Sequence, residues 1–228
     1  DSDSRRSRVV RFDIGAIPDG GIAYTAAFLF ADGLRNEVGL AFDAQGVMWG
    51  VQNGVDNLER EDLGGDISEN NPAEILSRFD REGAFHGYPY CWAEYDLDPG
   101  VGLGRGTLWA HPNSMNDGTH TDAWCRANVQ PPVVAMQGHS APLGLTFYDG
   151  ASFPADYAGD LFVTFHGSWN RSVPTGYKVV HIDMGGPTPG EPTPFCTSTR
   201  TLELGPGLRS ASGRRSATSS AAASVSTR

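Results

Sequence analysis

The chain has 228 residues, 39% of them hydrophobic and 10% aromatic, which is enough to bury a real core in one or two domains. Its net charge of −10 excludes nucleic acid or an anionic membrane as the main partner, and the acidity is deeper than that figure. Residues 197–228 carry five arginines against Glu203, so residues 1–196 hold 12 basic and 26 acidic side chains, a balance suited to a neutral ligand and a divalent cation. No apolar run approaches the ~20 residues of a membrane-crossing helix.

In chain order, the opening Asp1–Arg6 has neither an apolar leader nor a Met, so the start reads as unnatural and any secretion signal is expected upstream. Val9 to Ile14 alternates as a strand and ends at Gly15, Pro18 and Gly20–Gly21. Phe28–Phe30 reads as a second strand. Leu40–Asp43 and Val47–Val51 are short β-forming runs around Ala44–Gln45–Gly46, a tight hairpin. Ile75–Phe79 is a strand or a short helix. From Gly83 to Pro132 regular runs are few, and loops with one strand or helix are expected.

Leu143–Phe147, Leu161–Phe165 and Tyr177–Asp183 then give three strands separated by Gly, Pro and Asp turns, most of one four-stranded unit. Helix signals are nearly absent and the fold class is all-β. After Pro194 the character changes, and residues 197–228 are dominated by Ser, Ala, Arg, Thr and Gly without an aromatic residue. That composition predicts a disordered tail over 197–228 outside the fold.

Cys91 and Cys125 bracket the long polar excursion, and either a disulfide that staples it or two free core cysteines satisfies the pattern; Cys196 is the odd one. His86 and His111 sit in the excursion and read as surface residues. Asn170–Arg171–Ser172 matches a glycosylation sequon, discounted if Arg171 lines a pocket. Lys178 is the only lysine, which reads as a compositional bias.

Several ordered motifs carry a resemblance. Arg35–Asn36–x–x–Gly39–Leu40–Ala41–Phe42 with the Gly46 turn and Gly54, then Pro142–x–Gly144–Leu145–x–Phe147–Tyr148, then His166–Gly167–Ser168–Trp169–Asn170–Arg171, resemble the soluble pyrroloquinoline quinone (PQQ)-dependent glucose/sorbosone dehydrogenases, especially the pyranose and sorbosone branch. The resemblance runs from about Ser4 to about Phe195. It implies a six-bladed β-propeller of four-stranded blades, of which 1–196 would supply about three, so the sequence reads as a fragment.

The resemblance also implies roles. Arg35 and Asn36 would contact PQQ, the forked cation answering the quinone oxygens and stabilising negative charge as hydride arrives. Without it, Arg35 reads equally as a strand-capping surface Arg. The backbone carbonyls of Gly54 and Val55 would hold Ca²⁺, a hard ion that accepts such oxygens, although the family often has Gly–Pro there. Asp56, Glu59, Glu61 and Asp62 stand by as carboxylates, or as a solvated acidic loop. His139, His166 and Arg171 would line the cofactor pocket, with Trp169 stacking on a planar ring.

The family's general base lies in a blade upstream of Asp1, so no catalytic base is assigned and turnover by this chain alone is expected to be weak or absent. The expected partners are a sugar and an external electron acceptor (a small mediator, a quinone or a cytochrome), in an extracellular or periplasmic setting. The competing reading is a non-catalytic propeller remnant that binds a partner or carbohydrate, or nothing.

Overall fold

The computed structural model describes residues 6–115 and 117–197; the tail expected over 197–228 therefore lies, apart from Thr197, outside the described residues. The strands are β1 Arg8–Arg11, β2 Phe28–Asp32, β3 Asn36–Phe42, β4 Met48–Asn53, β5 Glu59–Arg60, β6 Gly65–Asp66, β7 Glu74–Phe79, β8 Ala84–Phe85, β9 Cys91–Ala93 and β10 Leu108–Ala110. After the helix α1 Asp122–Asn128 come β11 Val134–Met136, β12 Pro142–Phe147, β13 Leu161–Phe165, β14 Lys178–Ile182 and β15 Thr193–Thr197. The architecture is all-β, mostly sheets with few helices. Two four-stranded sheets, ordered β11-β7-β4-β3 and β12-β13-β14-β15, are antiparallel throughout. A three-stranded sheet, β1-β2-β8, flanks them, with β2 and β8 parallel.

The β3–β4 hairpin forms where the turn chemistry asks for it. Gly46 takes φ +77°, a conformation that costs glycine little, and its N–H donates to the Asp43 carbonyl at 2.9 Å. The Asp43 carboxylate then accepts from the N–H groups of Gln45 and Val47 and from Trp49 Nε1, each at 2.9 Å, closing the turn on itself. β4 is buried from Met48 to Gln52 because it is sandwiched: Trp49 and Val51 face the second four-stranded sheet, Met48 the three-stranded one.

The largest core fills the space between the two four-stranded sheets, with Trp49, Val51, Leu76 and Met136 meeting Leu161, Val163, Phe165, Val180 and Ile182. At ~25 cal/mol per Å² this apolar interlayer is the main force joining the sheets. They approach most closely where β3 meets β12. A Cβ on Gly39 would stand 2.8 Å from the Leu143 carbonyl oxygen and 2.8 Å from Leu145 Cδ2, so only glycine lets the backbones come this near.

The sequence reading needs correction in three places. The first strand stops at Arg11, because Asp13 caps a short 3-10 turn over Ile14–Ala16, its side chain accepting from Gly15 N at 3.0 Å. The excursion from Gly83 to Pro132 is not loops with one element: it holds β8, β9, β10 and α1 and contributes most of two buried clusters, one around Trp92, Leu97 and Trp109, the other around Cys91, Leu108, Cys125 and Val129. Third, His86 is buried rather than a surface residue, 5% exposed against the Phe79 ring, and His111 is half-buried.

The disulfide alternative holds. Cys91 and Cys125 are bonded, with Cα atoms 5.8 Å apart, tying β9 to α1. Arg60 adds a second clasp: 2% exposed, it donates to Asp62 and Asp122 and to the Ala110 carbonyl.

Candidate functional site

Antiparallel alternation decides which chain ends share an edge. Asn36 at the start of β3 pairs with Asn53 at the end of β4, Glu74 at the start of β7 pairs with Met136 at the end of β11, and Phe165 at the end of β13 pairs with Pro142 and Lys178 at the starts of β12 and β14. One rim of the two four-stranded sheets thus gathers Arg35, Asn36, Gly54, Val55, Glu74, residues 137–141, His166 and Lys178.

Arg35 is the centre of this rim. Its N–H is fixed by Gln52 Oε1 at 2.8 Å, and its guanidinium donates to the carbonyls of Asn53, at 3.4 Å, and Gly54, and to Asp56 Oδ2 at 3.1 Å. The Asp56 pair is only partly shielded, about 28% exposed on each side, so its worth is near that of a surface pair, ~1 kcal/mol or less. Asn36 donates from Nδ2 to Asn53 Oδ1 at 2.9 Å, and Asn53 Nδ2 reaches across to the Pro142 carbonyl at 2.8 Å, stitching the two sheets together at the rim.

His139 lies beneath, 7% exposed, with Nε2 bonded to the Asn71 carbonyl at 3.0 Å and Nδ1 3.8 Å from Asp56 Oδ1. The loop that carries it is wound tightly, His139 at φ +58° and Ala141 at φ +51°, the sort of stored strain found in ligand-holding loops.

Glu74 joins both halves. One oxygen accepts from Gly54 N at 2.9 Å and the other from Ala141 N at 3.2 Å, so a single buried carboxyl anchors the loops of the two sheets. Burial pushes its pKa up to about 7, opposed by those two amides and by Arg35, while Asp56 adds to the rise. Lys178 comes from the second sheet. Its ammonium donates to Gln137 Oε1 at 2.8 Å, and its pKa falls to about 8 through burial and the nearby Arg171 charge, with Glu74 pulling the other way.

The loop between β13 and β14 closes the rim. Gly167 and Gly176 pinch its neck: a Cβ on Gly176 would lie 2.2 Å from Gly167 Cα. Arg171 reaches the Gly138 carbonyl at 3.5 Å and the Val173 carbonyl at 3.2 Å, and Ser172 binds both oxygens of Glu69, at 2.9 and 2.8 Å. His166 ties its backbone to the Ala141 carbonyl at 2.9 Å, but its ring is exposed and leans on Tyr177, 5.9 Å between centroids. Trp169 is 71% exposed.

The expected residues therefore divide. Arg35, Asn36, Gly54, Val55, His139 and Arg171 lie on one rim, whereas His166 and Trp169 share the rim loop with their rings turned to solvent. Among the described residues no cluster of three His, Cys, Asp or Glu is arranged to hold a metal. Of the four standby acids, Asp56 stays at the site through Arg35, but Asp62 is committed to Arg60.

Sequence reasoning gave no role to Glu74 or Lys178, and placed Gln137 only as the start of the loop 137–142 that resembles the one closing over PQQ. Reading Lys178 as composition alone is corrected by its place on the rim, and a lone lysine among arginines directly before an apolar strand was the available signal. At the sequon, Asn170 Nδ2 is buried, which agrees with discounting a glycan there.

Three comparisons bear on this geometry. A family model described as TrAA12-like matches residues 1–204. A PQQ-dependent pyranose dehydrogenase of Coprinopsis cinerea is 33% identical over 201 residues, covering 84% of this chain and 26% of the relative. A PQQ-dependent sugar dehydrogenase of Hypocrea jecorina is 32% identical over 177 residues, covering 72% and 39%. Among solved structures, the holo form of the pyranose dehydrogenase PQQ domain from Coprinopsis cinerea superposes with a TM-score of 0.70 at 31% identity, covering 88% of this chain and 49% of that one. The chain thus spans about a quarter to two fifths of the curated relatives and about half of the solved domain.

Proposed function

The chain belongs to the TrAA12-like family, and on that premise we propose that it is part of a six-bladed propeller enzyme that oxidises a pyranose or related aldose through PQQ and Ca²⁺. The observation that carries this reading is the rim on which Arg35, Asn36, His139, Arg171 and the Gly54–Val55 backbone converge from two sheets.

The donor chemistry fits the cofactor. PQQ is a planar tricarboxylate with an ortho-quinone, and the rim offers guanidinium groups from Arg35 and Arg171 and an amide from Asn36, the forked and permanently charged donors that such a molecule needs. When bound, PQQ supplies the hydride acceptor. The chain's own residues would bind and orient it: Arg35 would supply a fixed positive charge to the cofactor and Asn36 an amide donor. His139 is held by the Asn71 carbonyl so that Nδ1 stays turned toward Asp56. His166 and Trp169, exposed on the loop above, are the residues left to meet the ligand from outside.

For Ca²⁺ the carbonyls of Gly54 and Val55 are the assigned ligands. The Arg35 guanidinium now occupies the Gly54 carbonyl, so a cation there requires that guanidinium to turn toward the incoming anion. No residue of the chain is assigned as the general base. The Cys91–Cys125 disulfide supports an extracellular or periplasmic setting, and the electron acceptor is proposed as an external mediator, quinone or cytochrome.

Titrating the protein with PQQ at millimolar Ca²⁺ while following the quinone absorbance tests this. The wild type should show a saturable change that Arg35→Ala weakens by about 1.5–3 kcal/mol, the range for a charged hydrogen bond. Equal titrations would refute the assigned site.

A further inference from the structure

Five of the six buried side-chain atoms that lack a hydrogen-bond partner among the described residues belong to Glu37, Ser77 and His86, and packing brings the three together. Gly50 is the meeting point. A Cβ there would stand 2.0 Å from Glu37 Oε1 and 2.8 Å from Phe79 Cε2, so the carboxyl group fills the niche that a missing side chain leaves in β4. Ser77 is the partner of Gly50 across the ladder, and the His86 ring meets Phe79 edge-on at 5.0 Å. Among the described residues no cation is paired with the acid. Arg78 pairs with Asp80, Arg35 with Asp56, and Arg8 with Asp32 on β2. Burial and the Arg81 charge keep His86 neutral, its pKa lowered to about 4 against the pull of Asp80. Burial alone raises the Glu37 pKa to about 8.

A carboxyl group without partners is tolerable in such a niche only while it holds its proton, because the ionised form loses its hydration there and gains nothing in return. The strand around it has the slack to let it leave. Register shifts between Glu37 and Gly39, and Gln52, the residue paired with Glu37, is also the one whose Oε1 fixes the Arg35 N–H at 2.8 Å. We infer that Glu37 is a positioning residue: seated as the neutral acid against Gly50 it holds the entry of β3, and with it Arg35, in place, and on losing its proton it leaves the niche and loosens the rim's grip on an anion. This deepens the proposed rim site and rests on that rim being a ligand site, but the motion itself belongs to the ligand-free protein.

Two measurements keep the switch and the ligand apart. In the ligand-free protein, millisecond amide exchange over residues 34–38 is followed from pH 7 to pH 9 for wild type and Glu37→Gln, and the ratio at each pH removes the intrinsic pH dependence of exchange. That ratio should rise about ten-fold, because the fraction of Glu37 that is ionised climbs from about a tenth to about nine tenths. Calorimetry with PQQ at saturating Ca²⁺ should show wild-type affinity falling about ten-fold over the same range, with no such fall in Glu37→Gln. Gly50→Ala, whose methyl takes the place of the carboxyl, should exchange quickly already at pH 7 and bind weakly throughout; should it not fold, Glu37→Gln decides. A level exchange ratio overturns the inference whether or not PQQ binds, as does an equal fall of PQQ affinity in both proteins. If exchange quickens as expected but no form binds PQQ, the switch stands and the cofactor reading falls.

Discussion

Replacing Gly39 by alanine probes the contact that aligns the two halves of the rim. The new methyl would stand 2.8 Å from the Leu143 carbonyl oxygen, 2.8 Å from Leu145 Cδ2 and 3.1 Å from Gly144 Cα. Real contacts of this kind begin near 3.4 Å, so β3 and β12 must part by roughly half an ångström, an overpacking strain of about 1–3 kcal/mol. Two of the three obstacles, the Leu143 carbonyl oxygen and Gly144 Cα, are backbone, which cannot swing away as the Leu145 side chain would. The same displacement moves Arg35 relative to residues 137–141, because Asn53 bridges the sheets to the Pro142 carbonyl. Urea unfolding should therefore show a lower midpoint at constant slope, and PQQ affinity should fall with it. Gly20→Ala, where a methyl meets nothing within 4 Å, is the matched control and should be neutral or slightly stabilising. A Gly39→Ala protein as stable as wild type would refute the claim that the sheets meet backbone to backbone there.

The other perturbations are read in stability. Cys91→Ser with Cys125→Ser opens a closure 34 residues apart in sequence, worth about 3–4 kcal/mol in the chain-entropy account, read by thermal or urea unfolding. Arg60→Ala removes a buried guanidinium from Asp122 and the Ala110 carbonyl, which keep only the Ala110 N–H and Trp92 Nε1 respectively, and should cost about 2–4 kcal/mol; a loss under 1 kcal/mol would mean the clasp is not structural. Glu37 has both carboxylate oxygens buried without partners, and burial raises its pKa to about 8. The folded state then holds the proton more tightly than the unfolded chain, so its contribution is intact below the ordinary carboxylate pKa and is lost as pH rises toward 8. Glu37→Gln should flatten that decline in a stability–pH profile, and an unchanged profile would show that Glu37 does not titrate with folding.

The legible parts of the fold were those with local chemistry. The β3–β4 hairpin follows from Asp43 and Gly46, and β12, β13 and β14 follow from apolar runs between Gly, Pro and Asp turns, because each signal lies within a few residues of the strand it creates. The excursion was not legible: β8, β9 and β10 are two or three residues long, and what holds them is a disulfide and a buried Arg60 that join distant segments. The site divides the same way. Arg35, Gly54 and Arg171 stand in motifs that carry their meaning along the chain. Glu74 and Lys178 acquire theirs only when β7 and β14 bring them to one rim, where burial rather than sequence sets their protonation. His86 was misplaced because a histidine amid Gly and Pro reads as exposed, and only the packing against Phe79 buries it.

Isothermal titration of PQQ into the protein, with and without Ca²⁺, for wild type, Arg35→Ala and Arg105→Ala, tests the central claim most directly. Arg105 serves as a cation away from the rim, paired with Glu191 and stacked on Tyr95. The account predicts a single site that depends on Ca²⁺, weakened roughly ten- to hundred-fold by Arg35→Ala and untouched by Arg105→Ala. Binding that ignores Ca²⁺, or that falls equally in both variants, would contradict it.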